Sequence, residues 1–421
     1  MDQKTGYKKT KIGWIPEEWS IKRYKDVLKE IDRQYLWDDN LEYHLISVRR
    51  RNGGCFFRES LLGHQIKTKT LRPIQRDDFI ISKMQVVHGA TSVVPSSFDG
   101  MFVSSSYLIM NACPILNIHY MNYWAQLPKF YNDVLISSHG VHIEKMTFKL
   151  SSFKKQLMPL PPLPEQQKIA SILTTVDDKL SSIENQIQQT EQLKKGLMEK
   201  LLTEGIGHTE FKDTKIGKIP REWRISKFED ETRLITCGVA STPKYVDPEN
   251  GIPFLSSQNV KDGKMKLEKY SYISKDFHKE LTKNNKPEKG DILYTRVGAN
   301  FGEACVIDID LEFSVYVSLT LIKVKNENDS NFVKYLLNSQ YYKKLAKRSV
   351  FQGAGVPNLN VKVVRNFIVG FPPFPEQKQI ASILSTVDDK IETLTQKKSE
   401  YQTLKKGLMA ELLTGKRRVK V

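Results

Sequence analysis

A chain of 421 residues is longer than one hydrophobic core usually organises, so at least two domains are expected. Hydrophobic residues make up 39%, and no apolar run comes near the ~18 residues that a membrane-spanning helix needs. The start, MDQKTGYKKTKIGW, is basic without the apolar stretch of a secretory signal. Four single cysteines, Cys55, Cys113, Cys237 and Cys305, show no C-x-x-C spacing, as expected of reduced thiols in the cytoplasm. His139 and His142 form an H-x-x-H with no Cys or carboxylate cluster beside it, so no metal is expected. The net charge of +17 points to an anionic partner, either nucleic acid or an acidic membrane surface.

In chain order, the first signal is TKIGWIPEEW, ending at Trp19, which returns as TKIGKIPREW, ending at Trp223. PEQQKIASILTTVDDKL (Pro164 to Leu180) returns as PEQKQIASILSTVDDKI (Pro375 to Ile391), with 13 of 17 positions identical at a shift of 211. At the same shift LKKGLMEKLLT (193–203) returns as LKKGLMAELLT (404–414). The plan is an entry motif, a variable region, a proline hinge and a helix, then the same four parts again. The variable regions, about 20–158 and 224–369, share little beyond hydrophobic pattern and one anchor, DDFIISK (77–83) against GDILYTR (290–296), each read as a turn followed by a buried strand. One scaffold carrying two different readings explains why differences are confined to the globular parts.

Each helix follows a proline-rich hinge, with Pro164 or Pro375 suited to its first turn and Gly205 or Gly415 to its stop. Apolar positions at Ile169, Ile172, Val176, Leu180, Ile183, Ile187, Leu193, Leu197 and Leu201 recur at a mean step near 3.5, a coiled-coil seam. The second helix repeats it through Ile380, Ile383, Val387, Ile391, Leu394, Tyr401, Leu404, Leu408 and Leu412, with Lys398 standing where Ile187 stands in the first. An antiparallel pair buries both seams and gives the molecule an approximate internal two-fold; the alternative is two helices that each pack on their own domain. Gly196 and Gly407 lie mid-helix, where glycine costs about 1 kcal/mol relative to alanine, which suggests close packing against the other helix or a partner. The helical blocks 165–202 and 376–413 are nearly neutral, so the positive excess lies elsewhere, mostly on the globular parts, which argues against a basic helix on a membrane.

The expected class is α+β: two globular domains of mixed strands and helices, separated by two long helices in an antiparallel coiled coil. Domain bounds are 1–158, then hinge and helix to 205, then 206–369, then hinge, helix and basic tail to 421. The two variable regions, the paired PPLPEQ-type helix blocks with IASIL-x-TVDDK, and the IP-x-EW head together resemble the specificity subunit of type I restriction-modification systems over essentially the whole chain. The resemblance implies two target-recognition domains, each reading half of a bipartite double-stranded DNA sequence, with the helices setting the spacing and docking the modification subunits. It implies as partners those modification subunits, which use S-adenosylmethionine, and a restriction subunit, which uses ATP and Mg; this chain itself needs no cofactor. The first domain departs from the GD-x-x-x-x-R strand motif, with Asp77 and Lys83 where the second has Gly290 and Arg296.

Base reading takes amides, guanidinium groups and hydroxyls on loops at strand ends, and phosphate contacts take Lys, Arg and backbone amides. In the first domain Arg49, Arg50, Arg51 and Asn52 follow the strand-like HLISV and precede two glycines: a groove-facing loop, or a solvated hairpin turn. The corresponding loop of the second domain offers Gln258 and Asn259. Further candidates are Lys83, His88, Ser137, Ser138, His139 and Lys145 in the first half, and Arg296, Asn300, Lys347, Arg348, Gln352 and Asn358 in the second. Each alone also fits a turn former or plain surface, and Arg296 also fits a brace between strand and hinge.

No catalytic residue is expected. There is no N/D-P-P-Y/F motif of an adenine methyltransferase and no G-x-x-x-x-G-K-[ST] of an ATPase, and neither VGANFG (297–302) nor QGAGVPN (352–358) follows G-x-G-x-x-G. Asp247 with Asp262-Gly263-Lys264 is a nuclease-like D-x-K without a convincing acidic partner. The competing reading is a non-catalytic coiled-coil adaptor with general nucleic-acid affinity, whose binding would depend on salt without sequence preference.

Overall fold

The computed structural model describes residues 5–67, 69–241, 243–298, 300–350 and 358–420. The chain divides into two compact α+β units, Met1–Glu184 with Gln396–Val421, and Asn185–Thr395. Two helices of 39 residues, Leu163–Leu201 and Phe374–Leu412, each contribute to both units.

Each unit begins with the same hairpin, Tyr7–Thr10 with Gly13–Pro16 in the first and Phe211–Thr214 with Gly217–Pro220 in the second. The TKIG repeat is turn chemistry. Thr10 and Thr214 donate their hydroxyls to the carbonyls of Gly13 and Gly217 at 2.6 Å, and both glycines hold φ near +105°, a region closed to most side chains. The strand that follows, Ser20–Arg23 or Arg224–Lys227, pairs with the strand that ends in the proline hinge, Leu157–Leu160 or Ile368–Phe371. Each variable region is thus closed at its base by its own first and last strands.

Inside each unit lies a four-stranded antiparallel sheet of one topology: Leu28–Glu30, Tyr107–Ala112, Phe79–Ser82, Thr91–Val93 in the first, and Thr232–Cys237, Leu319–Val324, Ile292–Thr295, Ala304–Val306 in the second. The central strands Phe79–Ser82 and Ile292–Thr295 are buried at every position because both faces are covered. Phe79 and Ile81 face the helices, whereas Ile80 packs with Ile46, Val48 and Val103 of a second sheet; in the other unit Ile292 and Tyr294 face the helices and Leu293 packs with Leu255 and Val260.

Within the first unit the start of one long helix lies against the end of the other, with Ile169, Ala170 and Leu173 sharing a core with Met409, Leu412 and Leu413. Asp177 pairs with Lys405 at 2.7 Å and Glu184 with Lys398. One index rises by seven while the other falls by seven, so the segments run antiparallel and in heptad register. The second unit repeats the arrangement with Leu201 and Leu202 against Ile380, Ala381 and Leu384, and with Lys194 2.6 Å from Asp388.

Of the expected seam, Ile169, Val176, Ile183, Ile187, Leu201, Ile380, Leu394 and Leu412 are buried, and Ile172, Leu180, Leu197, Val387, Ile391, Tyr401 and Leu408 are partly buried. Leu193, Leu404 and Ile383 are not seam residues: they are 55%, 48% and 38% exposed. The physical reason is that each helix block also buries side chains in the cores of both units, Ala170, Leu173, Met409 and Leu413 in the first and Leu202, Ala381 and Leu384 in the second. The buried surface is therefore broader than a two-stranded stripe and rotated away from those three positions. Among the described residues no helix is long and apolar enough to cross a membrane.

Candidate nucleic-acid interface

The repeated motifs meet at one node in each unit. Trp19 is fully buried and donates its indole N–H to Glu165 Oε2 at 3.0 Å; Trp223 does the same to Glu376 at 3.3 Å. The next residue of PEQ, Gln166 or Gln377, is fully buried. Its amide donates to the hinge carbonyl of Pro161 or Pro372 and its Oε1 accepts from the backbone N–H of Asn117 or Asp329, the N-cap of a short helix. Gly205 and Gly415 adopt the left-handed conformation after each long helix, and a Cβ on either would press on Trp223 or Trp19. The duplicated sequence blocks are therefore the frame that holds each variable region. The first node adds Arg418, which bonds both oxygens of Glu165; the second adds His208, 3.0 Å from Glu376.

Upon this frame three segments of the first unit converge. The loop after Glu42–Val48 docks on the turn after Phe79–Ser82: Arg51 N–H donates to His88 O and Asn52 N–H to Gly89 O. Arg51 and Asn52 both take positive φ, and the loop bends so that Arg50 reaches Glu144 at 2.8 Å, on the hairpin formed by Ser138–His139 and Thr147–Phe148. His88 Nε2 lies 3.2 Å from the same carboxylate without hydrogen-bond geometry. Arg49 stacks over Phe56, and Arg51, His139 and Lys145 are exposed. The basic loop, the turn and the hairpin thus form one surface.

The second unit builds the same place from different residues. The turn after Ile292–Thr295 holds Gly298, whose Cα faces Ser257, so exposed Gln258 stands beside it; Val297 bridges to Asn358 across a single pair. The helix Gln340–Arg348 ends there with exposed Lys347 and Arg348, its Ala346 against Gly302. Asn300 lends its backbone carbonyl to the Thr295 hydroxyl. Gln352 lies outside the described residues.

Several sequence candidates are occupied with structural work. Lys83 donates to Ser105 O at 2.8 Å and its N–H to Ser106 O, while Arg296 reaches Val317 O and its N–H bonds Ser318 O. The two are equivalent braces between the central strand and its neighbour, and burial pushes the Lys83 ammonium below its ordinary pKa. Arg296 also bonds Leu359 O and Asn358 Oδ1, so it ties the strand to the segment that precedes the short helix Val361–Arg365, not to the proline hinge. Asn259 is buried, with its amide spent on Ser256 N–H, Lys266 O and Lys269 O. Asn52 is held by Thr91, Ala125 and the Tyr131 hydroxyl. Ser137 is out of reach rather than engaged, its hydroxyl fully buried without a partner, and Ser138 donates to Val134 O. None of these has a side chain free to meet a base. The D-x-K segment is a hairpin turn, with Asp262 and Gly263 at positive φ and Lys264 paired with Glu392.

Three residues that sequence reasoning passed over belong to the surface. Glu144 joins the loop to the hairpin, Gln85 carries a buried Oε1 without a partner, and Val141 caps the hairpin. For Val141 the sequence signal was an apolar and histidine-rich run, LISSHGVHI (135–143), which Glu144 directly follows; Gln85 carried none. Among the described residues no cluster of three or more metal-ligating side chains occurs.

A family model described as "Type I restriction modification DNA specificity domain" matches this chain twice, over residues 16–193 and 220–402, one match for each copy of the frame. The chain belongs to that family. Within it, the chain is 28% identical over 422 residues to the type I restriction enzyme MjaVIII specificity subunit of Methanocaldococcus jannaschii, covering 96% of this chain and 94% of that one. It is 27% identical to the putative MjaX specificity subunit of the same organism, covering 98% and 97%. In fold it is similar to the type I restriction-modification S subunit from M. genitalium, with TM-score 0.59 at 14% identity over 94% of this chain and 96% of that one. It is also similar to a chain solved in work on complex assembly and conformational transition of the type I R-M system, with TM-score 0.57 at 17% identity over 96% and 99%.

Proposed function

We infer that this chain is the DNA sequence-recognition subunit of a type I restriction-modification complex, with each globular domain reading one half of a bipartite target. The observation that carries the reading is the equivalence of the two surfaces: one frame, built from Trp, Glu, Gln and Gly at matched places, presents an Arg-rich loop and hairpin in one unit and Gln258, Lys347 and Arg348 in the other. Shared scaffold with unshared contact chemistry is what two independent half-site readings require.

The chain acts without chemistry of its own. Methyl transfer with S-adenosylmethionine, and translocation and cleavage with ATP and Mg, fall to modification and restriction subunits, and the assembly works in the cytoplasm. Modification subunits dock on the long helices at Leu193 with Gly196 and at Leu404 with Gly407. These leucines are exposed, and the glycines have open space where a Cβ would stand, so the helix-weakening glycine serves no internal contact. The helices set the gap between half-sites, and lengthening both should widen it.

Methylation mapping in a host carrying this chain with its modification subunits tests the reading. A bipartite motif is expected, and exchanging residues 20–158 for those of a relative should alter one half alone. A complex that modifies DNA without a bipartite motif, or a chimaera in which both halves change together, overturns it.

A further inference from the structure

The hairpin of the first unit exposes apolar side chains that no core requires. Leu135 and Ile136 end the helix Pro128–Ile136, and Val141 and Ile143 stand on the turn between Ser138–His139 and Thr147–Phe148. Val141 is 96% exposed, and Ile136 and Ile143 about half, while Val134 and Phe148 already fill the core beneath. The tip is held in shape: His139 pairs with Thr147, Lys145 N–H donates to His142 O, and a Cβ on Gly140 would meet Met146 Cα at 3.0 Å.

What surrounds this tip selects its occupant. Arg51, Lys145 and Lys149 are exposed, and the one acid on the turn, Glu144, is engaged by Arg50. An apolar edge whose rim is net cationic, its one acid paired with Arg50, is complementary to a polyanion that also offers apolar surface. In duplex DNA that surface at the base edges is the C5 methyl of thymine, which projects into the major groove, and the groove admits a two-stranded ribbon.

We propose that Val141 and Ile143 read DNA by apolar contact with a thymine methyl in the half-site of the first domain. The inference rests on the recognition reading above and adds the means by which one position is read. Arg51, Lys145 and Lys149 place the tip through phosphates, and a cytosine at that position, lacking the methyl, is disfavoured.

The test uses the full chain with its modification subunits and duplexes of the mapped target in which each thymine of that half-site is replaced singly by uracil, which keeps the pairing and loses only the methyl. At one position the exchange should weaken wild-type binding about three- to five-fold, the worth of one buried methyl. The variant Val141→Ala/Ile143→Ala should be indifferent to that exchange while still discriminating the second half-site, which also shows that it is folded. A first half-site without thymine on either strand, a wild type indifferent to every exchange, or a variant as sensitive as the wild type overturns the proposal while leaving the recognition reading in place. Absence of any sequence preference in the wild-type complex would sink that reading and this inference with it.

Discussion

Trp19 donates to Glu165 across 146 positions of sequence, and Arg418, from beyond the second long helix, closes on the same buried carboxylate. Glu165 is therefore the point at which the entry hairpin, the first long helix and the basic tail are joined. Replacing it by alanine strands the indole N–H and leaves Arg418 with Glu18 alone, a loss of about 2–4 kcal/mol from the first unit. Arg418→Ala should cost less, because the guanidinium is about one-third exposed and water can replace it at the rim. Urea unfolding of the variants checks the order; equal costs would show that the arginine, not the tryptophan, is the partner that matters.

The second unit carries its own acid sensitivity. Burial alone would raise Glu231, but hydrogen bonds from Arg224, Ser226 and Asn328 outweigh it and hold the carboxyl at about 2, against an ordinary 4.5. A depressed folded-state pKa stabilises the fold above the unfolded value, and that contribution is lost as pH falls from about 5 toward 2. Thermal melting of wild type and Glu231→Gln across that window should converge at low pH, with the wild type ahead above pH 5. Parallel curves would mean that the Arg224 cluster contributes nothing to the acid response.

The duplication, the helices and their stops were legible in the sequence because each leaves a local mark: identical blocks, 3.5-residue spacing, a terminal glycine. What the blocks are for was not. Trp19 and Glu165 recur with Trp223 and Glu376 because they touch, and contact over 146 residues has no local signature. Lys83 and Arg296 sit at aligned positions and were both candidates for DNA contact, Arg296 also for a brace; the structure shows both consumed by a neighbouring strand. Leu193 and Leu404 fit the helical period but lie outside the contact, since a second buried face rotates each helix. At the hairpin the reverse held: Val141 was not singled out in the sequence and is the most exposed apolar side chain there.

Asp177 and Lys405, like Asp388 and Lys194, pair one long helix with the other, and each aspartate also accepts from a tyrosine hydroxyl, Tyr123 or Tyr335. Lys405→Glu should destabilise the first unit by about 1 kcal/mol through like-charge repulsion. Adding Asp177→Lys should restore part of that loss, the remainder being the lost Tyr123 bond. A double-mutant cycle gives the coupling directly, and a coupling near zero would mean that the register rests on the apolar contacts alone.

Arg51 and Asn52 are neighbours in sequence with opposite duties. Both hold positive φ and both donate backbone N–H groups to the turn at His88 and Gly89, so the loop's shape does not depend on the arginine side chain. Asn52, by contrast, spends its amide on Thr91, Ala125 and Tyr131. Asn52→Ala should therefore lower stability by about 1–3 kcal/mol, since the buried partners lose their bonds. Arg51→Ala should leave melting unchanged and act only on DNA. If the guanidinium neutralises a phosphate, binding weakens alike for all sequences and the slope of log affinity against log salt falls by about one; if it reads a guanine, discrimination at one position relaxes by about 1–3 kcal/mol while the slope barely moves. Titrations of target and scrambled duplexes at several salt concentrations separate the two. Unchanged affinity for both duplexes would remove the loop from the DNA surface and leave the hairpin as the reading element of the first unit.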